Sequence, residues 1–186
     1  MKINIKKTVG AVLPLLAAVV LGSCQSGNTA KTTEAPASDV QTITILQTAD
    51  IHGQMLPHQD FFIENGQFVF KERGGMASIQ TIFKQVKAEN PNGTVILDGG
   101  DLIQGSALAA LSEGKAIAPV IKAMDYDFLI PGNWEVIYGS EKMRSVLYSF
   151  EKPIICANIY DEASTDMLYP PYFIKEVKGV KLGFIS

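Results

Sequence analysis

Cysteine is scarce in this chain of 186 residues, which contains only Cys24 and Cys156. The sequence around Cys24, described below, predicts that its thiol is modified, and Cys156 then has no partner for an internal disulfide. A disulfide framework is therefore excluded, and the fold must be stabilised by packing or by a bound metal. Cys156 lies in the apolar run at residues 154–157, where a cysteine is typically a small buried residue rather than a nucleophile.

Long hydrophobic runs and basic patches are also lacking. The apolar run at residues 9–21 has thirteen residues, whereas a helix that crosses the hydrocarbon core of a bilayer needs about 20. The chain has 16 Lys and Arg against 19 Asp and Glu, a formal net charge of −3. An acidic balance without a basic patch argues against binding to a nucleic-acid polymer.

The N-terminus has the features of an export signal. Three lysines precede the apolar run, namely Lys2, Lys6 and Lys7. A basic segment followed by an apolar run of this length favours a signal peptide over a transmembrane helix. We expect the signal peptide to occupy residues 1–23, so that the protein is exported.

The residues at the end of this segment predict a lipid anchor. Residues 21–24 read Leu-Gly-Ser-Cys and are similar to the cleavage and lipidation sequence of bacterial lipoproteins, in which small residues precede the cysteine. We expect Cys24 to be lipidated and to become the new N-terminus of a membrane-anchored protein, in the periplasm or at the cell surface. An ordinary secretory signal with an incidental cysteine is the alternative.

The remainder divides into a tether and one domain. Removal of residues 1–23 leaves 163 residues, with 13 basic against 19 acidic side chains and a net charge of −6. Residues 24–40 are polar and rich in Ser, Thr and Ala, which predicts a flexible tether. Residues 41–186 are long enough to form one domain with a sizeable core.

Predicted strands and helices alternate along the domain. Strands are predicted at residues 42–47, 94–97, 128–130 and 154–157, helices at 76–90, at 107–123 with a break near Gly114 and at 140–150, and a hairpin at 172–185. The last helix is expected to be capped by the hydroxyl group of Ser140. This order of elements predicts an α/β fold.

Three of the predicted strands end just before residues of types that commonly bind metals. Asp50 and His52 follow the first strand, Asp101 the second and Asn133 the third. Loops that follow parallel strands meet at one edge of the sheet, where these side chains could hold two cations, with Asp101 bridging them. Such a dinuclear site clamps a phosphoryl group and supplies a nucleophile near neutral pH. Each residue alone also fits ordinary turn chemistry.

The segments around these residues resemble a known family. They are residues 48–54 (TADIHGQ), 73–77 (RGGMA), 99–106 (GGDLIQGS) and 132–135 (GNWE). In this order they are similar to the calcineurin-like metallophosphoesterases, and more closely to their 5'-nucleotidase branch; the resemblance extends over residues 41–186. It implies a four-layer α/β/β/α sandwich, of which this chain encodes the first half, two divalent ions (Mn, Zn, Fe or Co), and hydrolysis of phosphate esters such as nucleotides.

The same resemblance implies ligands that the chain lacks. The family places a Gly-His and a His-x-His in the second half of the domain, whereas only His52 and His58 occur before Ser186. We therefore expect about half of a site and a poor enzyme on its own, in need of the missing C-terminal half or another chain. His58 is expected to be a loop residue near the site mouth, and Gln54 and Arg73 are read as loop residues without a role.

The third motif also departs from the nucleotidase pattern. Where the family has a His and then an Asp that assist the leaving group, this chain has Trp134 and Ile137, so no catalytic residue is expected beyond the metal ligands. Trp134 is expected to line the pocket or to pack beneath a metal loop. The Trp-Glu pair, followed by Tyr138 and Gly139, is similar to the branch related to thiosulfohydrolases.

Three functions are compatible with these observations. The first is a metal-dependent hydrolase of phosphate esters that resembles 5'-nucleotidase. The second is a thiosulfohydrolase-like enzyme that acts on sulfur esters. The third is a noncatalytic, truncated lipoprotein that lacks the C-terminal histidine ligands.

Overall fold

The computed structural model describes residues 2–6 and 40–186. The strands are β1 (Lys2–Lys6), β2 (Val40–Thr48), β3 (Pro57–Glu64), β4 (Gln67–Gly74), β5 (Thr94–Asp98), β6 (Phe128–Leu129), β7 (Tyr172–Val177) and β8 (Val180–Ile185). The helices are α1 (Met76–Glu89), α2 (Ala107–Leu111), α3 (Ala118–Ala123) and α4 (Ser140–Ser149), with a 3-10 helix at Glu135–Tyr138 before α4.

The main sheet brings three strand ends to one level. Its strand order is β1-β2-β5-β6, in which β2, β5 and β6 are parallel and β1 is antiparallel to β2. Thr48 pairs with Asp98, and Asp98 pairs with Leu129. The loops that follow β2, β5 and β6 therefore leave from the same edge of the sheet, as expected for parallel strands.

Both faces of this sheet are covered. On one face, Ile96 and Leu129 belong to a buried cluster with residues of α1, α3 and α4, including Phe83. On the other face, Phe128 lies 5.0 and 4.9 Å, between ring centroids, from Phe173 and Phe184 of the β7–β8 hairpin. Burial on both faces accounts for the continuous apolar run in β5. The prediction of an α/β fold is confirmed.

The predicted helices form, with one difference at an N-terminus. α2 and α3 are separated at Glu113 and Gly114, whose φ values are 52° and 83°, which explains the predicted break. The expected cap by the hydroxyl group of Ser140 is wrong, because Gly139 occupies the cap position with a φ of 86° and no side chain caps the helix. Glycine adopts that left-handed conformation without steric cost.

The predicted strand at residues 154–157 is reduced to a single bridge. Ile154 pairs in parallel with Leu129, but the Cys156 N–H donates to the carbonyl oxygen of Pro170. Because that donor is used outside the sheet, the chain does not continue as a strand. Cys156 is buried, which confirms its interpretation as a packed residue.

The β3–β4 hairpin is the largest difference from the sequence prediction. His58 and Arg73, which were expected in loops, lie opposite each other on β3 and β4. The turn is formed by Asn65 and Gly66, with φ values of 51° and 76°, and an Asn-Gly pair is a strong hairpin signal. One face of the hairpin exposes four large apolar side chains, those of Phe61, Ile63, Phe68 and Phe70.

The predicted signal peptide and tether are largely outside the described residues. Cys24 is among the residues that are not described, so the lipid anchor stays a prediction. β1 lies within the segment assigned to the signal peptide. Among the residues described, no helix combines the length and apolar character that a membrane crossing requires.

Replacing Phe128 tests the packing of the hairpin on the sheet. Phe128 is fully buried between Phe173 and Phe184, and Phe128→Ala should lower the free energy of unfolding by about 3–5 kcal/mol in urea denaturation. Phe70→Ala, at a side chain that is 71% exposed, is the matched control and should change it by about 0.5 kcal/mol or less. Equal losses in the two variants would contradict this account of the core.

Candidate metal centre

Three of the predicted ligands lie close together in the structure, and all three have an unusual backbone conformation. Asp50, His52 and Asp101 have φ values of 57°, 51° and 60°. They are three of the nine non-glycine residues with positive φ in the described part of the chain. This left-handed conformation is sterically unfavourable for L-residues and strains the backbone by about 1–3 kcal/mol per residue. Such strain tends to occur at functional sites.

Backbone hydrogen bonds join the loop after β2 to the loop after β5. The Asp50 N–H donates to the carbonyl oxygen of Gly100 at 2.9 Å. The His52 N–H donates to that of Asp101 at 2.8 Å. As a result, one potential ligand atom from each of Asp50, His52 and Asp101 lies within 4.8 Å of the other two, and His52 Nε2 is 3.8 Å from Asp50 Oδ1.

The His52 ring is held with one nitrogen free for a ligand. Its Nδ1 lies 2.9 Å from the carbonyl oxygen of Gln104. A carbonyl oxygen can only accept, so Nδ1 carries the hydrogen and the Nε2 of the neutral ring presents its lone pair. The ring of Trp134 contacts His52 edge to face, with centroids 5.9 Å apart and an interplanar angle of 86°. Trp134 therefore flanks a candidate ligand.

Asn133 lies in the third loop, between two residues that contact Asp101. The Trp134 N–H donates to Asp101 Oδ1 at 2.8 Å. On the other side of Asn133, Gly132 packs so closely on Asp101 that a Cβ atom there would overlap its carboxylate. Gly100 likewise packs directly on the backbone of Gly132. Asn133, whose side chain is exposed, thus belongs to the loop cluster formed by the loops after β2, β5 and β6. Its role as a ligand stays a prediction.

The donor set fits a divalent transition metal. Two carboxylates and one imidazole, from Asp50, Asp101 and His52, can converge on one point. Such a mixed oxygen and nitrogen set suits Mn, Zn, Fe or Co. Asp50 is exposed while Asp101 is buried, so the cluster opens to solvent on the Asp50 side. Metal binding by these residues remains a prediction, as does the number of ions.

Glu135 has no role predicted from the sequence, but it is central to the loop cluster. Its side chain is only 1% exposed. Its two carboxylate oxygens accept hydrogen bonds from the main-chain N–H groups of Asp101, Leu102, Ile103 and Gly132. The Gly-Asn-Trp-Glu segment contained the only sequence signal for it, as an acidic residue next to the predicted ligand Asn133.

Asp98, at the end of β5, is a second buried carboxylate without an assigned role. Its Oδ2 accepts a hydrogen bond from Thr48 Oγ1 at 2.5 Å, and its Oδ1 accepts one from the Gly100 N–H at 2.8 Å. Thr48 Oγ1 is also 2.7 Å from the hydroxyl group of Tyr126. Burial raises the pKa of Asp98 from 3.8 to about 7, against the lowering effect of those two hydrogen bonds. The Glu135 and Asp50 carboxylates add smaller upward contributions.

Comparison of the sequence with known protein families identifies one family that matches most of the domain. The model of the calcineurin-like phosphoesterases matches residues 43–182. A 5'-nucleotidase of Vibrio cholerae is 29% identical over 175 residues, which cover 92% of this chain and 30% of that protein. The chain spans only 24% to 30% of the length of the first curated relatives it matches.

Solved structures agree with this result. The NAD nucleotidase of Haemophilus influenzae superposes with a TM-score of 0.69 and 28% identity, over 77% of this chain and 26% of that one. The sulfate thiohydrolase of Thermus thermophilus superposes with a TM-score of 0.64 and 24% identity, over 77% of this chain and 34% of that one. The second likeness shows a shared fold alone.

The pH dependence of stability tests the environment of Asp98. Between about pH 4 and pH 7 the folded state keeps a proton on Asp98 that the unfolded state has released. The free energy of unfolding should therefore fall as pH rises through this window, by on the order of 4 kcal/mol from this group. In Asp98→Asn that loss should disappear, because the amide does not titrate. The measurement is urea denaturation at several pH values in metal-free buffer.

The control for this experiment removes a different negative charge. Asp60→Asn, at an exposed position of β3, changes the net charge equally without touching Asp98. It should show the same pH dependence as the unmodified chain. If Asp98→Asn keeps that dependence too, the raised pKa is wrong.

Proposed function

The chain belongs to the calcineurin-like phosphoesterase family, and from this premise we propose that it is the metal-binding part of a hydrolase that cleaves phosphate esters, nucleotides among them. The proposed ligands are Asp50, His52, Asp101 and Asn133. The observation that carries the proposal is the convergence of the first three, whose ligand atoms lie within 4.8 Å of one another. The named relatives that act on nucleotides support the substrate class.

Each side chain in the cluster has a separate part. Asp50 and His52 present an oxygen and a nitrogen from one loop, and Asp101 presents its free Oδ2 from the next, since Oδ1 already accepts from Trp134. Asn133 offers an amide oxygen from the third loop. Divalent ions held by these atoms would polarise a phosphoryl group and make water a nucleophile near neutral pH. The open side at Asp50 admits substrate.

We also propose that this part of the protein works with further protein surface and with a membrane. The outer face of the β7–β8 hairpin exposes Tyr172, Ile174 and Ile185, and an apolar face of this kind is typically covered by more protein. A C-terminal half of the domain, or another chain, would cover it and supply the remaining ligands. The lipid on Cys24 would hold the protein at the membrane, in the periplasm or at the cell surface.

Metal binding tests this proposal directly. Titration of the full chain with Mn²⁺, followed by electron paramagnetic resonance, should show binding that Asp101→Asn weakens at least about tenfold, because the variant loses the negatively charged ligand of the second loop. Asp125→Asn is the control, since Asp125 forms an ion pair with Lys87 instead. Hydrolysis of p-nitrophenyl phosphate by this chain alone should be slow and sensitive to chelators. An absence of both metal binding and hydrolysis would support the noncatalytic alternative.

A thiosulfohydrolase-like activity is the second candidate. The observation that favours it is the position of Trp134, whose ring contacts His52 where nucleotidases would place a histidine. Trp134 can neither donate a proton to a leaving group nor stabilise an oxyanion through an imidazolium. A substrate that leaves as a sulfur species has less need of such a group, because thiols are more acidic than alcohols.

Introducing the histidine and aspartate of the nucleotidase pattern at positions 134 and 137 distinguishes the two candidate substrates, nucleotides and sulfur esters. The double variant Trp134→His and Ile137→Asp should raise the hydrolysis of AMP by the chain at least about tenfold, since general acid catalysis contributes about 100-fold or more. Hydrolysis of a thiosulfonate should not rise. Trp134→Phe with Ile137→Leu is the control and should leave AMP hydrolysis unchanged. An unchanged rate with AMP in the restored variant would contradict the role given to these two positions.

A further inference from the structure

The Glu135 carboxylate uses all of its acceptor positions on main-chain amides. Oε2 accepts from the N–H groups of Asp101 at 2.8 Å and Gly132 at 2.6 Å. Oε1 accepts from those of Leu102 at 2.6 Å and Ile103 at 3.2 Å. A carboxylate has about four acceptor positions, and here each is filled. None of the ion pairs in the described part of the chain involves Glu135.

These bonds join two loops that are distant in the sequence. Only the bond from Gly132 is local, three residues before Glu135. The other three reach the loop after β5, which is 32 to 34 residues away. A side chain that merely capped its own 3-10 helix would not make them. The carboxylate therefore fastens the loop that carries Asn133 to the loop that carries Asp101.

The arrangement fixes Asp101 at both its backbone and its side chain. Glu135 accepts from the Asp101 N–H, while the N–H of the preceding residue, Trp134, donates to Asp101 Oδ1. The loop after β5 thus donates a hydrogen bond to the loop after β6 and accepts one from it. The two loops are in close contact at Gly132, where there is no space for a Cβ atom. Asp101 is also bonded through its carbonyl oxygen to the His52 N–H. All three loops of the cluster are connected through this one residue.

We propose that Glu135 is a positioning residue for the metal centre. By holding the Asp101 and Asn133 loops at one separation, it sets the distance between the Asp101 carboxylate and the Asn133 amide oxygen and so raises the affinity for divalent cations. This inference rests on the proposed function above, but the clamp between the loops exists in the metal-free protein and can be measured there. Glu135 itself points its oxygens at amides and is not a ligand.

Glu135→Gln is the sharpest substitution, because it keeps the shape of the side chain. The amide oxygen can still accept from two N–H groups, but the amide nitrogen then faces two other N–H donors. Burying donors without acceptors is unfavourable. Hydrogen exchange in the metal-free chain should therefore become at least about tenfold faster at the amides of residues 101–103 and 132 than in the unmodified chain. Amides in the centre of β5 should change much less.

The metal arm of the experiment uses Mn²⁺ alone. Glu135→Gln should weaken Mn²⁺ binding by about 10–100-fold, the range typical for a residue that orients metal ligands. Glu113→Gln, at a glutamate that pairs with Lys142, is the matched control and should bind as the unmodified chain does. Val146→Ala, in the buried core, controls for a general loss of stability and should leave the affinity for Mn²⁺ unchanged.

A second variant keeps the test decisive if Glu135→Gln does not fold. Glu135→Asp retains the charge but shortens the side chain, so it should recover part of the affinity. The visible absorption spectrum of bound Co²⁺ should then differ from that of the unmodified chain, because the ligands are displaced. If Glu135 contributed only to the overall stability of the fold, the absorption spectrum of bound Co²⁺ would be unchanged.

The outcomes separate the inference from the proposed function. If the unmodified chain binds Mn²⁺ and Glu135→Gln binds it equally well, the inference is wrong while the proposed function stands. If the unmodified chain binds no Mn²⁺, the proposed function is wrong, and with it the role of Glu135 in metal affinity. Unchanged exchange rates at residues 101–103 and 132 would in either case show that Glu135 does not hold the loops together.

Discussion

The parallel pairing of β2, β5 and β6 is the constraint on which the site depends. Thr48, Asp98 and Leu129 are aligned across the sheet, so the three following loops start at one level. A slip of one residue in β5 would turn Ile96 away from the helices and toward the β7–β8 hairpin, exchanging the two buried faces. Core packing therefore maintains the register, and the register delivers Asp50 and Asp101 to each other.

Three acidic side chains are buried at or near this sheet edge, and each is accommodated differently. Asp98 has a pKa raised by burial to about 7, so its charge is suppressed over much of the acidic range. Glu135 is surrounded by main-chain N–H groups, which replace water as donors. Asp101 has one oxygen bonded to the Trp134 N–H, which leaves the other for a cation. Burial of uncompensated carboxylates is otherwise costly.

The sequence predicted those parts of the molecule that depend on local pattern. The spacing of apolar residues located α1, the apolar run at residues 94–97 located β5, and the positions of Asp50, His52 and Asp101 after strands predicted their convergence. Glu135 could not be found in this way, because most of its partners are amides more than 30 residues away. The β3–β4 hairpin was missed although Asn65 and Gly66 marked its turn.

The left-handed backbone of Asp50, His52 and Asp101 sets stability against metal binding at this site. Glycine adopts these conformations without the steric cost that a side chain incurs, so a glycine at any of the three positions would relieve backbone strain. The same glycine would remove a candidate ligand. The residues that make these loops costly to fold are therefore the ones that could bind a cation, a trade-off between stability and activity that is common at functional sites.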